Sequence, residues 1–389
     1  MTVTTCAEAA EKVLPLLQAE AARTDAQAAF PEAGLRALRE SGLLGLLVPE
    51  EYGGMGGDLT DLVDVAGLLA GGCLSTAMIW AMHCQQSDAV VRFASPELKS
   101  WLLPRIARGE VYLASVTTEP GKGGHLLTGK APLQHEEGLL TLRRDAPVIT
   151  GGRHADGFLI TMRASPEAAD NQVSLVYADR EQLELVERGE WDTLGMRGTE
   201  SLGFTISGSV PAFQTVGEAG EFQQIAVESM AAVGHLAWAA CWLGAGRAAL
   251  QGLVGLVRSA DRPGSIDVRS ELVHERLARI RMDLELVSAY LRRVLDEVTQ
   301  LRAAGQSLAQ TPVQIHLNTL KVTAAELTFQ AVDRMVQLAG LRFGYHRQSP
   351  LPLERALRDL RSASLNYAND RLLVANGALT LMDRSVRLA

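Results

Sequence analysis

The residues Leu277, Ile280, Leu284, Val287, Leu291, Val294 and Val298 place an apolar side chain every three or four positions without a break. Over about six helical turns such a stripe has one stable home, a long helix packed at a shallow angle against others. A second stripe follows: Val313, Leu317, Leu320, Ala324, Leu327, Ala331 and Met335. Thr311 is expected to cap that helix, with Pro312 in its first turn and a stop near Gly340. Residues 214–389 therefore read as a helical bundle.

Two other textures precede the bundle. Residues 1–110 are rich in Ala, Leu and Glu, and Phe30, Leu35, Leu38 and Leu43 keep a 3.6-residue period. Pro31 suits a first helical turn and Gly42 a C-terminal stop. LLVPEEYGGMGG (46–57) reads as a loop, and Leu59 to Val91 as one or two buried helices around His83. From Val111 to about residue 213 the pattern changes to short runs separated by turn residues: LLTLRR (139–144), FLITM (158–162), VSLVYA (173–178) and LGFTIS (202–207). That spacing predicts an antiparallel sheet or barrel. No GxGxxG or GxxxxGK[ST] sits in a strand–turn–helix setting, which argues against a Rossmann or P-loop domain.

Composition narrows the function. The net charge of −8 gives no footprint for nucleic acid or an anionic membrane. No apolar run is expected to reach the ~18 residues of a membrane span, and the first ten residues lack a signal-peptide pattern. Cys6, Cys73, Cys84 and Cys241 have neither metal-site nor disulfide spacing. The expectation is a cytoplasmic protein without a metal.

Six segments in this order resemble the acyl-CoA dehydrogenase superfamily of flavoproteins. They are GLLGLLVPEEYGGMGGD (42–58), YLASVTTEPGKGG (112–124), VITGGRHADGFLITMRA (148–164), LGMRGTESLGFTISGSVP (194–211), VQLAGLRFGY (336–345) and LERALRDLRSAS (353–364). The resemblance implies an α+β protein: an N-terminal helical domain (1–110), a central antiparallel β-barrel or sandwich (111–213) and a C-terminal four-helix bundle (214–389). It also implies FAD between the β domain and the bundle, in a homotetramer or dimer. Ser115, Thr117 and Thr118 would face the pyrimidine edge of the flavin. Val148, Ile149 and Thr150 would follow along the ring, with the Thr150 hydroxyl near N5 as a donor. Arg258 or Arg262, Gln337, Gly340 and Asn369 would meet the diphosphate arm. The family's Arg-x-x-FG is only partly kept in RSADRPGS, which leaves room for FMN, or for reduced flavin delivered by a reductase.

The catalytic residues depart from the pattern. Where dehydrogenases of this family carry the glutamate of YEGT, this chain has Asn366, Tyr367, Ala368 and Asn369. Tyr367 holds the glutamate position, and a phenol with pKa near 10 is a poor base at neutral pH. The alternative position, one helix earlier, holds Gly234 and His235. Gly124 and His125 stand where TEPxxGSD would have Ser and Asp. These substitutions leave two enzymatic readings open. One is oxidation of an acyl thioester of coenzyme A or a carrier protein, with Tyr367, His235 or another group such as Glu354 as base and an electron-transfer protein as acceptor. The other is a two-component monooxygenase or N-hydroxylase, with His83 and Asn366 near the flavin and a separate reductase. A silent flavin-binding homologue is a third.

Overall fold

A computed structural model describes residues 5–121, 125–260, 262–264 and 266–389. Gly124 and the end of the TEP segment lie outside the described residues. Helix α1 (Cys6–Gln27) begins at a capping box in which the Thr5 hydroxyl accepts from the Glu8 N–H and Glu8 returns the bond. Helix α2 (Glu32–Glu40) follows Pro31 and ends before Gly42, whose φ of 78° suits a residue without Cβ. The stretch from Leu59 resolves into two helices, α3 (Leu59–Gly72) and α4 (Leu74–Phe93), and α5 (Pro96–Ala107) completes the first region. In α4, 16 of 20 residues are buried, so its polar side chains must find partners inside the protein.

No closed barrel forms among the described residues. The central region is two four-stranded sheets that share a core, a sandwich. One sheet has the order β1 (Leu113–Val116), β4 (Gly157–Arg163), β5 (Val173–Asp179), β8 (Thr215–Val216). The other runs β2 (Gln134–Glu136), β3 (Leu139–Ile149), β7 (Leu202–Pro211), β6 (Leu183–Arg188). The expectation of a wholly antiparallel arrangement is corrected at β1, which pairs parallel to β4. Burial explains the sequence texture. Strands β4 and β5 are covered on both faces, by the second sheet and by α4 and α5, and so read as continuous apolar runs. Strand β3 alternates, with Leu140, Leu142, Arg144 and Ala146 inward, until a bulge between Ala146 and Ile149.

After the short helix α6 (Phe222–Ile225) and one π-turn come α7 (Ala231–Arg258), α8 (Glu271–Ala303) and α9 (Thr311–Gly340). The first apolar stripe lies on α8, where Ile280, Leu284, Val287, Leu291, Val294 and Val298 are buried. The α9 helix keeps its Gly340 stop, but Thr311 is its first residue and Gln310 the cap. Helices α10 (Leu353–Arg361) and α11 (Asn369–Met382) close against α9, and the four long helices α7, α8, α9 and α11 form the bundle. The expected absence of a span-length apolar run is corrected at α6 and α7. Phe222–Arg258 is long and apolar enough by that measure alone, yet it runs through the centre of the molecule against α3, α4 and α9.

One polar knot fixes the regions relative to each other. The Arg358 guanidinium donates to both oxygens of Asp25 on α1, to Glu354 and to the Leu194 carbonyl. The neighbouring Asp359 accepts the Met196 N–H at 2.6 Å. These adjacent residues tie α1, the 191–199 loop and α10 together.

Candidate active site

His83 and His235 are both sealed from solvent, but the structure uses them differently. The Nδ1 of His83 accepts the Leu113 N–H at 3.0 Å, and its Nε2 faces the Leu44 carbonyl at 2.8 Å. A backbone N–H can only donate and a carbonyl can only accept, so the ring is neutral with its proton on Nε2. Burial pushes its pKa down to about 4. Both nitrogens are occupied in pinning α4 to the 43–47 turn and β1. In this arrangement neither nitrogen is left to bond a ligand.

His235, on α7, makes no hydrogen bond of good geometry at either ring nitrogen, although the Leu317 backbone lies close enough to interact with it. Burial, and then the nearby Lys321, hold its pKa down to about 3, so the ring is neutral. It packs with Trp238 and Tyr367 in a triangle whose ring centroids are 5.8–5.9 Å apart. Trp238 Nε1 is also buried without a partner, as is Nδ2 of Asn366, the residue before Tyr367. Such unmade bonds cost about 1–3 kcal/mol each, and a ligand or ordered water that supplies the partner recovers the cost. Tyr367 sits at φ 56°, in the left-handed region that side chains with a Cβ rarely adopt. Strain of this kind, of order 1–3 kcal/mol, collects at functional sites. Burial raises the Tyr367 phenol far above its ordinary pKa, so it stays neutral.

No carboxylate occupies either base position. Tyr367 stands at one. At the other, a Cβ added to Gly234 would lie 2.4 Å from Gln85 Nε2 and 3.2 Å from the Trp238 ring, so Gln85 would have to shift before any side chain could stand there. Glu354 is bound to Arg358 in the knot and is not a free base.

The residues of the expected pyrimidine edge do come together. Thr118 donates to the Val148 carbonyl at 2.9 Å, joining the TEP turn to the bulge at the end of β3. Ser115 and Thr117 lie half-buried beside it. Through the bulge, Val148 is exposed while Ile149 is wholly buried, so only the backbone of Ile149 can meet a ligand. Bulges often sit beside active sites for this reason. Thr150 begins a hydroxyl chain: Thr150 Oγ1 to Ser201 Oγ at 3.0 Å, Ser201 Oγ to Thr199 Oγ1 at 2.9 Å, and Thr199 Oγ1 to the Met196 carbonyl at 2.8 Å. Because the carbonyl only accepts, each hydroxyl hydrogen points down the chain. With all three bonds made, the Thr150 hydrogen is engaged by Ser201 and its lone pairs are left to accept.

Sequence reading missed Arg144. It lies beneath this edge, 2% exposed, donating only to neutral oxygens, Thr161 Oγ1 at 2.8 Å and the Thr118 carbonyl at 2.7 Å. Burial pulls the guanidinium down to about 10, with Glu119 opposing. A buried cation without a bonded carboxylate suits a ligand that gains negative charge, and the strand alternation that turns Arg144 inward was visible in LLTLRR. The hydroxyl-lined edge and this cation fit a flavin ring.

The residues expected at the diphosphate arm, which the resemblance extends to a neighbouring subunit, are spread along the bundle. Arg258 ends α7 exposed, and Arg262 donates to the Ser259 carbonyl. Gln337 is tied to Asp333 on the exposed face of α9, and Gly340 ends that helix at φ 72°. At 1.5 Å per residue, Gln337 is ~24 Å along α9 from Lys321, and Arg258 ~35 Å along α7 from His235. These groups do not share a site with Tyr367 within one chain. Asn369 is turned inward: its Oδ1 accepts from Lys321 and its Nδ2 donates to Glu326, which corrects its expected diphosphate contact.

Comparison with known proteins agrees with this architecture. The acyl-CoA dehydrogenase N-terminal domain matches residues 1–110 and the C-terminal domain residues 225–366. Acryloyl-CoA reductase (NADH) of Anaerotignum propionicum is 24% identical over 360 residues, covering 89% of this chain and 85% of its own. FMN-bound TdsC of Paenibacillus sp. A11-2, a dibenzothiophene monooxygenase, superposes with a TM-score of 0.87 at 22% identity over 97% of this chain and 98% of that one. Butyryl-CoA dehydrogenase of Megasphaera elsdenii does so at 0.86 and 19% identity, over 97% of each chain. The chain belongs to the acyl-CoA dehydrogenase family, whose members are flavin-dependent oxidoreductases.

Proposed function

We propose that this protein is a flavin-dependent monooxygenase that takes up flavin already reduced, and that it does not dehydrogenate acyl thioesters in the family's usual way. One observation carries the reading. Removal of a proton α to a thioester needs a positioned base of suitable pKa, and both base positions lack a carboxylate, with Gly234 hemmed in by Gln85. When bound, flavin supplies two-electron chemistry with oxygen. The protein's own residues then bind and orient. Thr150 can accept a hydrogen bond but not donate one, which matches the N–H at N5 of reduced flavin and mismatches the bare N5 of the oxidised ring. Arg144 favours the negative charge of the reduced ring. Trp238 Nε1 and Asn366 Nδ2 supply donors, and neutral His235 either a donor or an acceptor, for a small substrate with a polar reacting group. FMN is preferred over FAD because the family's Arg-x-x-FG is only partly kept in RSADRPGS. The exposed apolar residues Leu272, Met282 and Leu286 on α8 and Leu373, Val374, Leu381 and Met382 on α11 support a homo-oligomer.

The test is to measure affinity for oxidised and reduced FMN under anaerobic conditions. Tighter binding of the reduced form, weakened in Ser201→Ala, is expected. Tighter binding of the oxidised form would count against the reading.

A second reading, oxidation of an acyl-CoA or carrier-bound thioester with transfer to an electron-transfer protein, is favoured by the match to a CoA enzyme across 89% of the chain. It requires Tyr367 as base. Bleaching of the oxidised flavin by a thioester, lost in Tyr367→Phe, would establish it.

A further inference from the structure

Lys321 lies in the N-terminal half of α9, fully buried, and its ammonium has three acceptors: the Ala363 carbonyl at 2.9 Å, the Tyr367 carbonyl at 3.1 Å and Asn369 Oδ1 at 2.8 Å. Burial lowers its pKa to about 7, with Glu326 opposing; the protonated form carries three N–H groups, and all three are used. The two carbonyls belong to the segment that joins α10 to α11, and Asn369 is the first residue of α11. The Trp242 ring covers the cation at 5.6 Å. Glu326, on the same helix, reaches it through Asn369, whose Nδ2 donates to Glu326 Oε1 at 3.2 Å.

The segment needs holding. Its Ser362 and Ser364 carbonyls accept backbone N–H groups, whereas the Ala363 and Tyr367 carbonyls accept from Lys321. Tyr367 is in the left-handed region, where the Cβ of an L-residue crowds the backbone. Released, the backbone relaxes toward a commoner conformation and carries the Tyr367 ring away from His235 and Trp238.

We propose that Lys321 is the positioning residue of the site: its three hydrogen bonds hold the 363–369 segment with Tyr367 left-handed, and thereby close the aromatic triangle. The inference goes beyond the proposed reaction, because the segment is held in this way whatever chemistry the site performs.

The decisive experiment is a double-mutant cycle read by urea denaturation. Lys321→Met keeps the aliphatic stem and removes the ammonium. Glycine adopts the left-handed backbone without a Cβ penalty, so Tyr367→Gly lessens the need for a tether. Lys321→Met is expected to lower the folded-to-unfolded ratio by roughly tenfold or more in the native background, and by a distinctly smaller factor in Tyr367→Gly. Equal losses in the two backgrounds would overturn the proposal, since a merely structural lysine is indifferent to residue 367. A second readout needs no flavin. In a Trp242→Phe background, Lys321→Met should shift tryptophan emission to the red, and adding Trp238→Phe should abolish that shift. If Lys321→Met does not fold, Asn369→Ala, which removes one of the three acceptors, should give a smaller shift in the same direction. Unchanged emission in the folded variant would overturn the assignment.

Discussion

His83 and His235 stand on apolar helices, are buried to a similar degree and are both neutral, yet they belong to regions built on opposite principles. Around His83, and in the knot of Arg358 and Asp359, the buried polar groups that tie α4 to β1 and α10 to α1 have partners with good geometry. Around His235 they do not: His235, Trp238 and Asn366 hold unpaired polar atoms beside a strained tyrosine. A satisfied network stabilises one arrangement. An unsatisfied one has spare bonding capacity, and that is what a ligand uses. Burial alone does not tell a structural histidine from a functional one; the bonding of its nitrogens does.

The contrast can be broken by mutation. Arg358→Ala leaves Asp25 and Glu354 facing each other without their cation. A loss of about 3–5 kcal/mol is expected, the cost of breaking a buried ion pair, measured by urea denaturation. His83→Phe strands the Leu113 N–H and the Leu44 carbonyl and should cost about 2–4 kcal/mol while leaving flavin affinity unchanged. A change in flavin affinity without a loss of stability would reverse the roles of the two histidines. His235→Phe breaks no hydrogen bond of good geometry. Its stability should stay within about 1 kcal/mol of the parent or rise, while substrate turnover falls; a loss as large as that for His83→Phe would erase the distinction.

A subtler effect is pH dependence in the knot. Burial pushes Asp359 up to about 6 from its ordinary 3.8. A carboxyl raised in the folded state binds its proton more tightly there. Its contribution is full below about pH 3.8 and lost as pH rises through 6. The stability of the parent relative to Asp359→Asn should fall across that window and be flat on either side. A difference that is flat throughout would contradict the raised carboxyl.

Much of the fold was legible because periodicity reports burial. The stripe on α8 and the runs at β3, β4, β5 and β7 follow directly from which faces are covered. Strands β2 and β6 were not, since their residues are largely exposed and carry little apolar signal. The parallel pairing of β1 depends on contacts distant in sequence. At the site, the missing carboxylate at Tyr367 and Gly234 was readable. The difference between His83 and His235 was not, because it rests on backbone groups brought in from Leu44 and Leu113. Lys321 and Arg144 could have been found: each falls on the buried phase of its own element, between Leu317 and Ala324 and between Leu142 and Ala146.

The most direct trial of a site without a carboxylate base is to load the protein with oxidised flavin, exclude oxygen and mix it with short, branched and carrier-bound acyl thioesters. The visible flavin band should persist with every thioester, in the parent and in Tyr367→Phe alike. Rapid bleaching of the parent by any one of them, lost on removing the Tyr367 hydroxyl, would show that the phenol does the work of the absent glutamate and would contradict a monooxygenase that leaves thioesters untouched.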